Sequence, residues 1–180
     1  MPLDLGKVTY AAGAGERASR YFPNVAEAGL GGDVVTRAAR LPRALGPSQY
    51  FFAFWMELPR FRSTVIRLRA GEETFEGRAH NVVVANCRYY GGGMQISPKS
   101  EADDGLLDVL VMAGPKTDAF TLLPKVYRGG HLPHRNIREF RARRVELETD
   151  EALQIEADGE ALGHTPATFE AVRRPILLKV

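Results

Sequence analysis

The sequence predicts a mostly β protein, a large antiparallel β-sandwich with two or three helical insertions. Three observations carry that prediction. Turn formers are abundant, with 18 glycines and 11 prolines in 180 residues, and they cut the chain into many short segments. Several segments alternate apolar and polar residues with period two, as half-buried strands do. Others are continuous apolar runs of strand length, such as Val82 to Ala85 and Leu106 to Met112, which predict strands covered on both faces.

Composition narrows the function classes. Hydrophobic residues make up 44% and charged residues 26%, values of a chain that buries a core, and the length is that of one domain over residues 1–180. A formal net charge of +2 is not the tally of a nucleic-acid-binding protein. A single cysteine, Cys87, excludes an internal disulfide framework and a cysteine-based zinc site, and points to a reducing, cytoplasmic compartment. The first residues lack the basic segment and apolar stretch of a signal peptide, and no window holds the roughly 18 apolar residues of a membrane span. The expectation is a soluble protein, peripheral on a membrane at most.

The elements follow in order. Val8 to Tyr10 and Tyr21 to Ala26 read as strands joined by the Gly/Ala loop AAGAGERASR. GLGGDVVTRAARLPRAL is helix-compatible after its glycines, with Val34, Val35 and Ala38 on one side, until Pro42 and Pro47 interrupt it. Ser48 suits the cap of a second helix, QYFFAFWMEL, apolar on nearly every face, whose aromatic run is expected in the core, with a lipid gate as the alternative. From Arg60 the period changes to two: Ile66 and Leu68 share one face of a strand, and Arg67 and Arg69 the other. ETFEGRAHNVVVANCRYY holds one or two more strands. A short helix is expected near Thr117, with Asp118 in its first turn, followed by strands at RRVELET, LQIEADGE and ILLKV.

Several stretches bear chemistry. Gly91-Gly92-Gly93 permits positive φ and close approach of a ligand or of another backbone. Asp103-Asp104-Gly105-Leu106-Leu107-Asp108 is either an ordinary Asp-Gly turn or a set of hard oxygens for Mg²⁺ or Ca²⁺. Glu156-Ala157-Asp158-Gly159-Glu160 places acids at a hairpin tip, where they are either solvated or positioned to accept a proton. Residues 125–144 carry seven basic side chains against one acid, Glu139. That pattern suits phosphate or an anionic membrane surface, and equally a strand pair with cross-strand ion pairs. His131 and His134 lack a third metal ligand at suitable spacing.

In order along the chain, RYFPNVAEAGLGGDVV, NVVVANCRYYGGGMQISPKSEADDGLLDVLVM, KVYRGGH and IEADGEALGHTPATFEAV resemble the C-terminal domain of the soluble diacylglycerol kinase and sphingosine kinase family, which includes bacterial lipid kinases. The resemblance implies a β-sandwich that takes part in ATP-dependent phosphorylation of a lipid hydroxyl. Asp158 matches the position of the general base and Glu160 its acidic neighbour. Asp104 matches a Mg²⁺ site, with the backbone carbonyls of Glu101 and Leu106 as companions. Family members place a nucleotide-binding α/β domain first, with a Gly-Gly-Asp-Gly-Thr loop for the ATP phosphates. This sequence has only the partial echo Gly31-Gly32-Asp33-Val34. The expectation is therefore half an enzyme, either a fragment or a separately encoded remnant, whose partners are a lipid substrate and the nucleotide-binding domain. Alternatives from other classes are a lipid-binding sandwich without chemistry and a purely structural domain.

Overall fold

Eleven strands and three α-helices form among residues 3–13, 15–46 and 48–173, the residues that the structure, a computed structural model, describes. The chain begins with β1 (Leu5–Gly13), β2 (Glu16–Phe22) and β3 (Val25–Gly29), then α1 (Leu30–Ala38) and α2 (Ser48–Glu57). β4 (Thr64–Ala70), β5 (Glu73–Ala79), β6 (Asn81–Ala85) and β7 (Leu107–Met112) follow. After α3 (Asp118–Val126) come β8 (Ile137–Ala142), β9 (Arg144–Thr149), β10 (Gln154–Ala157) and β11 (Glu160–Val172). The mostly β, sandwich-like architecture with helical insertions is the expected one. The ILLKV strand lies outside the described residues.

All strand pairs are antiparallel and belong to one sheet, ordered β5-β4-β9-β11-β10-β3-β6-β7-β8, with β1 on β11 and β2 on β1. The sheet curls because one face is apolar from end to end. Val8, Ile66, Leu147, Ile155 and Phe169, from five different strands, meet in a single core. At the far ends of the sheet the rings of Phe75 on β5 and Phe140 on β8 stand 6.5 Å apart, edge to face, so the two ends nearly meet. β4 shows the alternation that its sequence predicts, with Ile66 and Leu68 inside and Arg67 and Arg69 in solvent. β6 is buried at every position. Val82 and Val84 enter the main core, while Val83 and Ala85 face a second cluster with Ile96 and with Val126 of α3.

The departures from expectation have local causes. The first hairpin is longer than the sequence indicates, since β1 and β2 run to Gly13 and from Glu16, using most of the Gly/Ala stretch as strand. Tyr21 to Ala26 is not one strand but the end of β2 and the start of β3. β8 lies within the basic stretch and was hidden by its charges. β11, 13 residues long, was masked by Gly163 and Pro166. Pro166 falls between the residues that pair with β10 and those that pair with β9, where no ladder N–H is required. At Gly163 the Ala11 carbonyl passes so close that a Cβ would lie 2.2 Å from it.

The aromatic helix α2 is corrected most. Expected in the core, it lies on the surface, and of its residues only Ala53 is fully enclosed. Phe51 is 56% exposed and Phe52 47%. α2 packs on α1 through Ala53, Leu30, Val34 and Ala38, and Arg37 of α1 pairs with Glu57 of α2. Among the described residues no helix is long and apolar enough to cross a membrane.

Candidate functional site

The outer face of β3, β6 and β10 is not covered by a second sheet. The three helices stand over it and leave a cavity of about 630 Å³. Its walls are apolar, with Leu30 and Val34 of α1, Phe54 of α2, Leu122 and Leu123 of α3, and Met94 among them. Three acids also line it, Glu27, Glu156 and Asp158. Such a volume, mostly apolar with a few convergent polar groups, is the form of a small-molecule site.

Asp158 is placed by a tight turn. It has φ +49° and Gly159 φ +83°, the two left-handed residues of a two-residue hairpin between β10 and β11, for which Asp-Gly is a preferred pair. Its backbone N–H donates to the Val25 carbonyl at 3.0 Å. Its Oδ1 accepts from the backbone N–H of Asn24 at 3.2 Å and of Val25 at 3.1 Å. The second carboxylate oxygen takes no hydrogen bond from a described residue. Burial pushes this carboxyl above the usual aspartate range, and the two backbone donors and Arg20 oppose that rise. An acid so held has one oxygen clamped and the other free to take a proton from a group in the cavity.

Glu160 is two residues away but on the opposite side of the turn. It pairs with Arg20 at 2.6 Å in solvent and does not line the cavity. Sequence reasoning did not single out Glu27 or Tyr90 and named Glu156 only as part of its stretch. Glu27 stands directly opposite Glu156 across β3 and β10, and Tyr90 lies beside Glu27. Burial raises the carboxyls of Glu27 and Glu156 and holds the Tyr90 phenol well above its ordinary value. A signal for Glu27 was present in principle, because an acid inside the otherwise apolar strand VAEAG breaks the pattern of a covered strand.

The triple glycine joins this site. Gly91, Gly92 and Gly93 all have positive φ, Tyr90 and Met94 bridge across them, and Gly91 and Gly92 line the cavity. His131 also lines it. Its Nε2 is 3.0 Å from the Ile96 carbonyl, and burial lowers its pKa. His134 is engaged separately, through the backbone N–H of Asn136.

The Asp104 turn is elsewhere, between β6 and β7, and does not line the cavity. Asp104 Oδ1 accepts the Leu106 N–H at 2.8 Å, and its Oδ2 pairs with Arg141. Arg141 also approaches Asp108 at 3.6 Å. Glu101 is exposed and Leu106 half-buried. No group of three His, Cys, Asp or Glu side chains suited to a metal occurs among the described residues. Both Asp104 oxygens are thus engaged, by Arg141 and by the Leu106 N–H, and a cation at this turn would have to displace Arg141.

Of the seven basic side chains of residues 125–144, two form ion pairs among the described residues, and the one acid of the stretch is paired as well. Arg141 pairs with Asp104, Arg144 with Glu146 and Glu170, and Glu139 with Lys99.

Residues 24–180 match the family described as the YegS C-terminal NAD kinase beta sandwich-like domain. A protein of Mycobacterium tuberculosis named diacylglycerol kinase is 31% identical over 180 residues, covering 99% of this chain and 56% of the relative. One of Bacillus subtilis with the same name is 25% identical over 177 residues, covering 97% and 55%. A solved structure described as a diacylglycerol kinase from Bacillus anthracis shares the fold, with a TM-score of 0.61 at 22% identity over 96% of this chain and 51% of that one. The chain thus spans about half the length of the curated relatives it matches.

Proposed function

This chain belongs to the family of the YegS C-terminal NAD kinase beta sandwich-like domain, and from that membership we propose that it supplies the lipid site and the catalytic base of a diacylglycerol kinase-like enzyme. The single observation that carries this reading is the mostly apolar cavity of about 630 Å³ that the clamped carboxylate of Asp158 lines. Acyl chains lie among the helices, and the head-group hydroxyl reaches Asp158. Asp158 accepts the hydroxyl proton as that oxygen attacks the γ-phosphorus of ATP, and ADP departs. The nucleotide is held by the part of the enzyme that carries the Gly-rich loop, a motif this sequence lacks. Glu160, tied to Arg20, sets the charge at the rim of the turn.

The Asp104 turn, with the carbonyls of Glu101 and Leu106, is proposed as a Mg²⁺ site remote from the cavity, where the cation exchanges with Arg141. The rings of Phe51 and Phe52 on α2, Phe120 on α3 and Tyr127 just after it are exposed, and the last two stand near Lys125 and Arg128 in the chain. They are proposed to rest on an anionic membrane from which the lipid enters.

The test is labelled phosphate transfer to dioctanoylglycerol. The chain alone should show no turnover, because phosphoryl transfer depends on positioned ATP phosphates. Joined to the remaining part of the Mycobacterium tuberculosis relative, it should turn over. Lipid binding without turnover in the joined protein would favour a non-catalytic lipid-binding sandwich instead.

A further inference from the structure

Resting on that lipid reading, we propose that Glu27 and Glu156 form a second recognition site in the cavity, one that binds an additional hydrogen-bond donor on the lipid head, a hydroxyl or an ammonium, beside the hydroxyl presented to Asp158.

The two carboxyl groups are a costly pair. They sit directly opposite each other on adjacent antiparallel strands, where like charges destabilise a sheet. Glu27 is 2% exposed and Glu156 3%, and buried charge is tolerated only when it is paired or neutralised. Neither forms an ion pair among the described residues. Compensation is partial. Asn81 Nδ2 donates to Glu27 Oε2 at 3.2 Å, and the Gly159 N–H donates to Glu156 Oε2 at 2.8 Å. Glu27 Oε1 is buried without any partner. Both residues line the cavity.

The surroundings are shaped to admit this pair. Gly31, at the start of α1, has no side chain where a Cβ would lie 1.5 Å from Glu27 Oε2. Its N–H donates to Asn81 Oδ1 at 3.2 Å, which turns the Asn81 amide donor towards Glu27. A purely structural role would be served better by two apolar residues, since replacing buried ionic groups by well-packed apolar ones is often neutral or stabilising. Burial raises both carboxyls, and the charge of Glu27 adds to the rise at Glu156, which is pushed up to about 9, so the pair retains a proton and still offers acceptor oxygens. Asn81 and the neighbouring Tyr90 phenol answer Glu27 in part, and what stays open is one further donor for Oε1. A diacylglycerol brings one hydroxyl, the one that is phosphorylated. A monoacylglycerol brings a second hydroxyl, and a long-chain amino alcohol brings an ammonium.

The experiment measures binding of three probes to the full chain by titration calorimetry below their micelle concentrations: dioctanoylglycerol, monooctanoylglycerol and a medium-chain amino alcohol with vicinal amine and hydroxyl. At least one probe with a second donor should bind roughly tenfold more tightly than its chain length alone gives, the increment of one added hydrogen bond. Tighter binding of the diol identifies a hydroxyl site, and of the amine an ammonium site. In Glu27→Leu that preference should vanish while dioctanoylglycerol binding stays within about twofold. Glu27→Gln and Glu156→Gln, which keep volume, should each weaken an ammonium preference while keeping a cooperative unfolding transition. Equal, chain-length-scaled binding of the three probes overturns this inference and leaves the lipid reading standing, as does an ammonium preference that survives in the folded glutamine variants or a diol preference that survives in Glu27→Leu. Binding of none of them overturns both.

Discussion

Two Asp-Gly turns in this molecule look alike in sequence and differ in what answers the acids around them. At Asp104-Gly105 the carboxylates of Asp104 and Asp108 share the guanidinium of Arg141, and the turn lies between strands at the surface. At Asp158-Gly159 the aspartate is clamped by backbone N–H groups and lines a mostly apolar cavity with two further acids that have no cationic partner. An acid whose charge is answered from within the protein stabilises local structure. Acids left unanswered at the wall of a cavity are costs that a ligand can offset.

The largest expected contrast is catalytic. In the joined enzyme, Asp158→Asn keeps the shape of the side chain and removes the proton acceptor, so kcat should fall by about 10²-fold or more. Asp104→Asn should leave kcat within about twofold. Phosphorylated lipid formed from labelled ATP is the readout, and equal losses would erase the distinction between the turns.

Next in size is stability. Asn81→Ala removes a donor from buried Glu27 and should cost about 1–3 kcal/mol in urea unfolding, the desolvation cost of the group left unpaired. Arg141→Ala breaks pairs that are partly exposed and should cost less than about 1 kcal/mol. A larger loss at Arg141 would reverse the contrast.

A third effect is the response to pH. The carboxyls of Glu27 and Glu156 are raised in the folded protein, with Tyr90 and Asp158 as the titratable groups facing them. A raised acid binds more protons folded than unfolded. Its contribution is therefore fully present below the ordinary glutamate range and is lost as pH rises through the folded-state pKa. The melting temperature should decline on going from acidic to mildly alkaline pH, and Glu27→Gln should flatten that decline. A decline of the same slope in Glu27→Gln would place its origin elsewhere.

The smallest effect concerns the cation. Mg²⁺ in excess should raise the melting temperature of the wild type by mass action and leave Asp104→Ala unchanged. An equal rise in both removes Mg²⁺ from the Asp104 turn.

How much of this was legible in the sequence follows from the range of the interactions. β4 and β6 were legible because alternation and continuous apolarity record burial directly, at Ile66 and Leu68 and from Val82 to Ala85. Asp158 was legible because Asp-Gly marks a two-residue hairpin from local sequence alone. β8 and β11 were not, since charges in one and Gly163 and Pro166 in the other obscure a pattern that only pairing with distant strands makes regular. The position of α2 was not legible either, because its aromatic residues report apolarity without saying whether core or cavity mouth receives it. Glu27 comes within reach of Glu156 only when residues 129 positions apart are paired in register, and no local pattern carries that information.

Occupation of the cavity by lipid, with the head group at Asp158, is open to direct test with a diacylglycerol that carries a photoactivatable diazirine on one acyl chain, cross-linked to the chain and mapped by mass spectrometry. The prediction is labelling on the cavity-facing residues of α2 and α3, at Phe54, Leu122 and Leu123, abolished by excess unlabelled dioctanoylglycerol. Specific labelling confined to the outer surface of β5 and β8, or none above background, would contradict it.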